Sequence, residues 1–211
     1  MSRTLLPGVI AMAIIVVASN ILVQFLYGDW LTYGAFTYPF AFLVTDITNR
    51  LYGAAAARRV VLVGFAVGLI CSLIGTLFSN EFGPLVTLRI AAGSGLAFLV
   101  AQLTDVFVFN RLRAGNWWRA PFVSTLISSS LDTVIFFTVA FSAWLVFVEP
   151  SNDVSFFNQV VPVIGIGPEA PRWMSLALAD FSVKLAIAVF ALIPFRLIVG
   201  HIISRAPQKT V

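Results

Sequence analysis

Five ionisable side chains in this sequence sit within long apolar runs: Asp46, Asp105, Asp132, Asp180 and Lys184. A charged group at the centre of a helix in hydrocarbon costs about 2.5–3.5 kcal/mol on insertion scales, so each of these needs a partner or a polar ligand. Asp180 and Lys184 are four residues apart and share one helix face, which makes a neutralised pair available to a polar ligand in a dry bundle. Asp132 follows Ser128, Ser129 and Ser130, whose hydroxyls can satisfy backbone carbonyls or a ligand. Asn20 and Gln24 are again four apart and offer two amides, each both donor and acceptor. Asp46 and Arg50 repeat the spacing, and Asp105 precedes the basic stretch Asn110-Arg111-Leu112-Arg113. With Asn49 these residues read as a structural network or closed gate more than as ligand contacts.

The same inventory excludes most enzyme chemistry. There is no HExxH and no phosphate-binding loop, and Gly93-Ser94-Gly95 lacks a histidine in the membrane because His201, the single histidine, ends the last apolar run. One histidine and one cysteine, Cys71, cannot supply a tetrahedral zinc site from soft ligands. No catalytic residue, metal or cofactor is expected. Without a nucleotide-binding motif, movement of a solute must draw on a gradient, metabolic trapping or an external motor.

The elements that hold these residues are read from composition. Of 211 residues 60% are apolar and 10% charged, with a mean hydropathy of +0.98, against roughly 45–50% and about 25% in ordinary globular chains. This is an integral membrane protein, and at about 20 residues per spanning helix it reads as an all-α bundle of six transmembrane helices forming a single polytopic domain over 1–211. The expected spans are about 5–27, 36–52, 60–78, 85–110, 117–147 and 173–200. Pro39 interrupts the second, whose polar latter half must face protein or water. Gly64 and Gly68 in the third have the spacing that lets helix backbones approach closely, within the chain or across a homodimer.

Ten of the thirteen basic residues fall before span one, between two and three, between four and five, or after six: Arg3, Arg50, Arg58, Arg59, Arg111, Arg113, Arg119, Arg196, Arg205 and Lys209. Asp29, Glu81, Glu149, Asp153 and Glu169 fall on the other side. The positive-inside rule then puts both termini in the cytoplasm, and the pI of about 9.7 reports topology and not a nucleic-acid partner. Trp117 and Trp118 at one surface and Trp30 and Trp173 at the other read as interfacial anchors. In this topology Asn20, Gln24, Asp132, Asp180 and Lys184 form a middle-to-outer polar layer. Asp46, Asn49, Arg50, Asp105, Asn110 and Arg111 form a cytoplasmic one.

The stretch TYPFAFLVTDITNRLYG from Thr37 to Gly53, with Ala56 to Arg59 behind it, resembles the second-helix signature of the queuosine precursor transporter family. Gln102, Asp105, Val106, Val108 to Arg113, Trp117-Trp118, Ala120-Pro121, Ser124 to Leu126, Asp132-Thr133, Ala179-Asp180 and Lys184 fall where that family's other motifs fall. The resemblance implies a six-helix importer, related to vitamin uptake transporters, in the bacterial cytoplasmic (inner) membrane. Its implied cargo is 7-cyano-7-deazaguanine, its 7-aminomethyl relative, or both. For such a ligand the expected contacts are Asp132 or Asp180 with amides from Asn20, Gln24 or Gln102, and ring stacking on Phe40, Tyr38 or Phe136. Lys184 neutralises Asp180. A substrate-binding subunit dependent on an external ATP-driven partner is the alternative reading, and an intramembrane enzyme is the second.

Overall fold

The computed structural model describes residues 3–80 and 83–205; Glu81 and Lys209, used above as topology markers, lie outside the described residues. Seven α-helices run in chain order: α1 (Leu6–Leu22), α2 (Gly34–Thr37), α3 (Phe40–Tyr52), α4 (Ala54–Thr76), α5 (Leu88–Leu112), α6 (Arg119–Phe141) and α7 (Arg172–Arg205). Short antiparallel ribbons fill three connections. They are β1 (Leu26–Tyr27) with β2 (Leu31–Thr32), β3 (Ser79–Asn80) with β4 (Gly83–Pro84), and β5 (Val160–Pro162) with β6 (Glu169–Pro171). Helices α4, α5, α6 and α7 are long and apolar enough to cross a membrane, and α1 is a shorter apolar helix of 17 residues. Large apolar side chains point outward along these helices, with Ile14 62%, Val134 64% and Phe190 67% exposed. Apolar surface on this scale needs lipid around it. The molecule is a mostly helical membrane protein.

The stretch expected as the second span is folded as two shorter helices, α2 and α3, with Pro39 at the joint. Proline has no N–H to donate, so the joint is held by tighter bonds, Ala41 N to Tyr38 O at 3.0 Å and Phe42 N to Pro39 O at 3.1 Å. Other boundaries move from the hydropathy reading for visible reasons. The first helix stops at Leu22 because the chain turns into the β1–β2 ribbon, although the apolar run continues to Tyr27. The third begins at Ala54, directly after Gly53 at φ +85°, and so includes the two arginines 58 and 59. The fifth ends at Phe141, where Ser142 becomes extended and its hydroxyl accepts from Trp144 N at 3.2 Å. The apolar residues that follow, Ala143–Val148, are a 3-10 segment. Hydropathy reports preference for lipid and cannot see these caps.

Gly64 packs inside the chain: a Cβ there would come 2.7 Å from Met12 Cγ and 3.0 Å from Phe98 Cζ, and one at Gly68 would meet Val16 at 3.4 Å. The glycine face of α4 is therefore occupied by α1 and α5 of the same molecule. Gly64→Ile is expected to lower stability by about 2–3 kcal/mol through overpacking, read as a lower melting temperature in detergent. Gly200→Ala, with nothing within 4 Å, serves as the comparator that leaves it unchanged.

The ends of the bundle are chemically distinct. At one, Arg50 Nη1 donates to Arg113 O at 2.5 Å and Arg113 Nη2 donates to Arg50 O at 3.3 Å, a reciprocal clasp between the C-termini of α3 and α5. Cations favour helix C-termini, where unsatisfied carbonyls gather. Close by in the chain, the Arg196 guanidinium lies 4.8 Å from the Trp117 ring centroid. At the other end the fully buried Arg89 donates from Nε to Val139 O (3.0 Å) and from Nη2 to Ser142 O (2.6 Å), closing the C-terminus of α6. Glu149 accepts from the backbone N–H of Arg89 at 2.9 Å and caps the N-terminus of α5.

Candidate functional site: a polar spine inside the helix bundle

Six side chains on α6 carry the polar interior: Ser124, Thr125, Ser128, Ser129, Asp132 and Thr133, all buried. Their spacing of four places them on one helix face, and this stripe positions everything that follows.

The ionic part is built where α6 meets α7. Lys184 Nζ donates to Asp132 Oδ2 at 2.6 Å, pairs with Asp180 one turn away on its own helix, and donates to Thr133 Oγ1 at 3.2 Å. Thr133 in turn donates to Asp180 Oδ2 at 3.2 Å, and Tyr38 OH donates to Asp132 Oδ1 at 3.3 Å. Lys184 lies 5.7 Å from the Tyr38 ring centroid. The expected Asp180–Lys184 pair is thus part of a triad, with one cation facing two carboxylates. Formally this leaves one excess negative charge inside the bundle. Tyr38 turns its hydroxyl to the triad and its ring edge-on to Phe42 and Phe98.

About one helical turn further along α6, roughly 6 Å by the helix rise, lies a second cluster shared with α3 and α5. The Thr45 hydroxyl donates to Gln102 Oε1 at 2.6 Å, and Asn49 Nδ2 donates to Val106 O at 3.1 Å. Ser128 donates to Asp105 Oδ1 at 3.1 Å, while Ser124 and Thr125 reach the Asp46 carboxylate at 3.4 and 3.5 Å. The carboxyl groups of Asp46 and Asp105 come within hydrogen-bonding reach of each other. Among the described residues neither has a lysine or arginine partner. Four buried atoms here remain unpartnered: Asn49 Oδ1, Gln102 Nε2, Asp105 Oδ2 and Ser129 Oγ.

Of the expected contact residues the structure brings together Asp132, Asp180 and Lys184, and it places Gln102 apart from them, in the cluster with Asp46, Asn49 and Asp105 of the expected cytoplasmic layer. It does not bring Asn20, Gln24 or Phe40 to them. Asn20 Nδ2 bonds back to Val16 O at 2.9 Å, Gln24 is exposed beyond the end of α1, and Phe40 is partly exposed on the outer side of α3. Arg50 reaches across to Arg113 and not to Asp46, because its long side chain extends past the helix end to the carbonyls there. Asn110 and Arg111 are exposed, with Asn110 accepting from Arg113 at 3.4 Å and Arg111 lying over Phe107. The expected proximity of Asp105 to that basic stretch is replaced by its bond to Ser128. Sequence reasoning gave Thr45 and Arg89 no contact role and named Thr133 only beside Asp132, although the four-residue period from Ser124 to Thr133 was a readable signal.

The chain matches the family model described as "Putative vitamin uptake transporter" over residues 32–199. It is 34% identical to the "Queuosine precursor transporter" of Escherichia coli (strain K12), the match covering 93% of this chain and 87% of that one. It is 35% identical to the "Probable queuosine precursor transporter" of Haemophilus influenzae, covering 85% and 73%. The protein of the same description in Bacillus subtilis (strain 168) is 28% identical, covering 79% and 71%. No solved structure matches the chain. The polar spine therefore lies in a multi-pass transporter of the bacterial inner membrane and not in an enzyme, and the chain belongs to the vitamin uptake transporter family, among relatives named as queuosine precursor transporters.

Proposed function

We propose that this protein imports queuosine precursors, 7-cyano-7-deazaguanine and its 7-aminomethyl relative, across the inner membrane through a bundle of six spans with both termini in the cytoplasm. The observation that carries the reading is the triad of buried Lys184 and Asp132 with the partly buried Asp180 within apolar helices. Burying these charges carries a desolvation penalty that apolar residues of similar volume would avoid, and the triad suits a cargo with polar groups of its own. The excess carboxylate favours a cationic aminomethyl substituent, while the neutral cyano group needs no counter-charge beyond the Lys184 pairs already formed. The relatives' names point to the same cargo. The clasp of Arg50 and Arg113, with Asn110 and Arg111 beside it, forms part of the inner gate.

The test is uptake of labelled 7-cyano-7-deazaguanine by cells that neither make nor otherwise import the precursor. Expression of this chain is expected to give saturable uptake, competed by the aminomethyl compound and not by a cytosine-type base. Absence of uptake with the protein shown to be folded in the membrane overturns the substrate assignment. Repeating the assay with purified protein in liposomes separates a self-sufficient carrier from a binding subunit, which would bind the base and not move it.

A further inference from the structure

We propose that the cluster formed by Gln102, Asp105, Ser129 and Asn49, with Asp46 beside it, is where the base edge of a guanine-like cargo is read, an inference that rests on the transport reading above. A buried polar atom without a partner is costly, and four occur here on three neighbouring helices. Their chemistry is unequal. Asn49 Nδ2 is committed to the Val106 carbonyl and Gln102 Oε1 to the Thr45 hydroxyl, so Asn49 has a free acceptor and Gln102 a free N–H donor. Asp105 adds a free carboxylate oxygen, and Ser129 can serve in either direction.

Two carboxyl groups, neither with a lysine or arginine partner among the described residues, and the unpartnered Asn49 Oδ1 leave the cluster with more acceptors than N–H donors even when one carboxyl carries a proton. A guanine-like edge has the complementary set: a ring N–H and an exocyclic amino group side by side, and a carbonyl next to them. The two donors suit Asp105 with Asp46 or Asn49, and the carbonyl suits Gln102 Nε2. A narrow cleft of about 10 Å³ between α3, α6 and α7 reaches Asp46 at the edge of this cluster, lined by Pro39, Phe42, Thr125, Ala188 and Ala191 among others, so a base is admitted only when these helices part. The ionic triad lies one turn away along α6, comparable with the breadth of a bicyclic base, so the 7-substituent and the base edge can be held at the same time.

The experiment compares binding of 7-cyano-7-deazaguanine with its analogue lacking the 2-amino group, using purified full-length protein in detergent. The wild type is expected to prefer the amino-bearing base at least tenfold. Asp105→Asn is expected to bring that ratio close to one, and Gln102→Glu to weaken both ligands at least tenfold. The ratio on one protein sample is independent of the folded fraction, so a purely structural role for Asp105 does not move it. A preference that persists undiminished in Asp105→Asn overturns the proposal while leaving the transport reading intact. Failure of the folded wild type to bind either base overturns the transport reading itself.

Discussion

Replacing Lys184 with methionine is expected to abolish uptake and to lower stability by about 3–5 kcal/mol, the cost of leaving buried carboxylates without their cation. Lys184 is buried, and it is the sole cation among the described residues paired with Asp132 and Asp180. Its loss also removes the bond to Thr133, which then orients Asp180 alone. Because the single variant loses both fold and function, the triple variant Lys184→Met, Asp132→Asn, Asp180→Asn separates them. It removes all the charges together, a change that is often neutral for stability. Its melting temperature is expected to return most of the way to wild type while uptake of the labelled precursor stays lost. Recovery of uptake along with stability would show that the triad serves only as scaffold.

The second large effect is structural. Arg89→Met is expected to lower stability by about 2–4 kcal/mol, because the Val139 and Ser142 carbonyls lose charge-assisted donors in a buried setting. The loss falls on the helix pair α5 and α6, which carries Gln102 and Asp105 on one side and the stripe from Ser124 to Thr133 on the other. Arg89→Lys retains the charge but cannot span both carbonyls from one point, so about half of the loss is expected to remain. Melting temperatures in detergent decide the matter, and a shift in Arg89→Met no larger than that of a surface substitution would refute the pinning role. Cells expressing Arg89→Met at reduced temperature should retain saturable uptake, since Arg89 lies at the start of α5 and Gln102 and Asp105 lie past its middle, about 20 Å further along the helix.

The membrane character, the positions of the long apolar helices and the identities of the buried charges other than Arg89 were legible in the sequence. Hydropathy and charge are one-dimensional quantities, and a chain that must satisfy its backbone in lipid has little choice but helices. The i,i+4 link between Asp180 and Lys184 was legible for the same reason, since it depends only on helix periodicity. What lay outside the sequence was every contact between helices. The pairing of Lys184 with Asp132, the turn of Arg50 towards Arg113, and the meeting of Asp46 with Asp105 depend on how α3, α5, α6 and α7 pack. The isolation of Asn20 and Gln24 depends on a helix ending at Leu22 inside an apolar run that does not end there. Residue types and local period determine which groups must avoid lipid; only tertiary packing decides which partner each one meets, because candidate partners of similar chemistry lie tens of residues away along the chain and helix rotation selects among them.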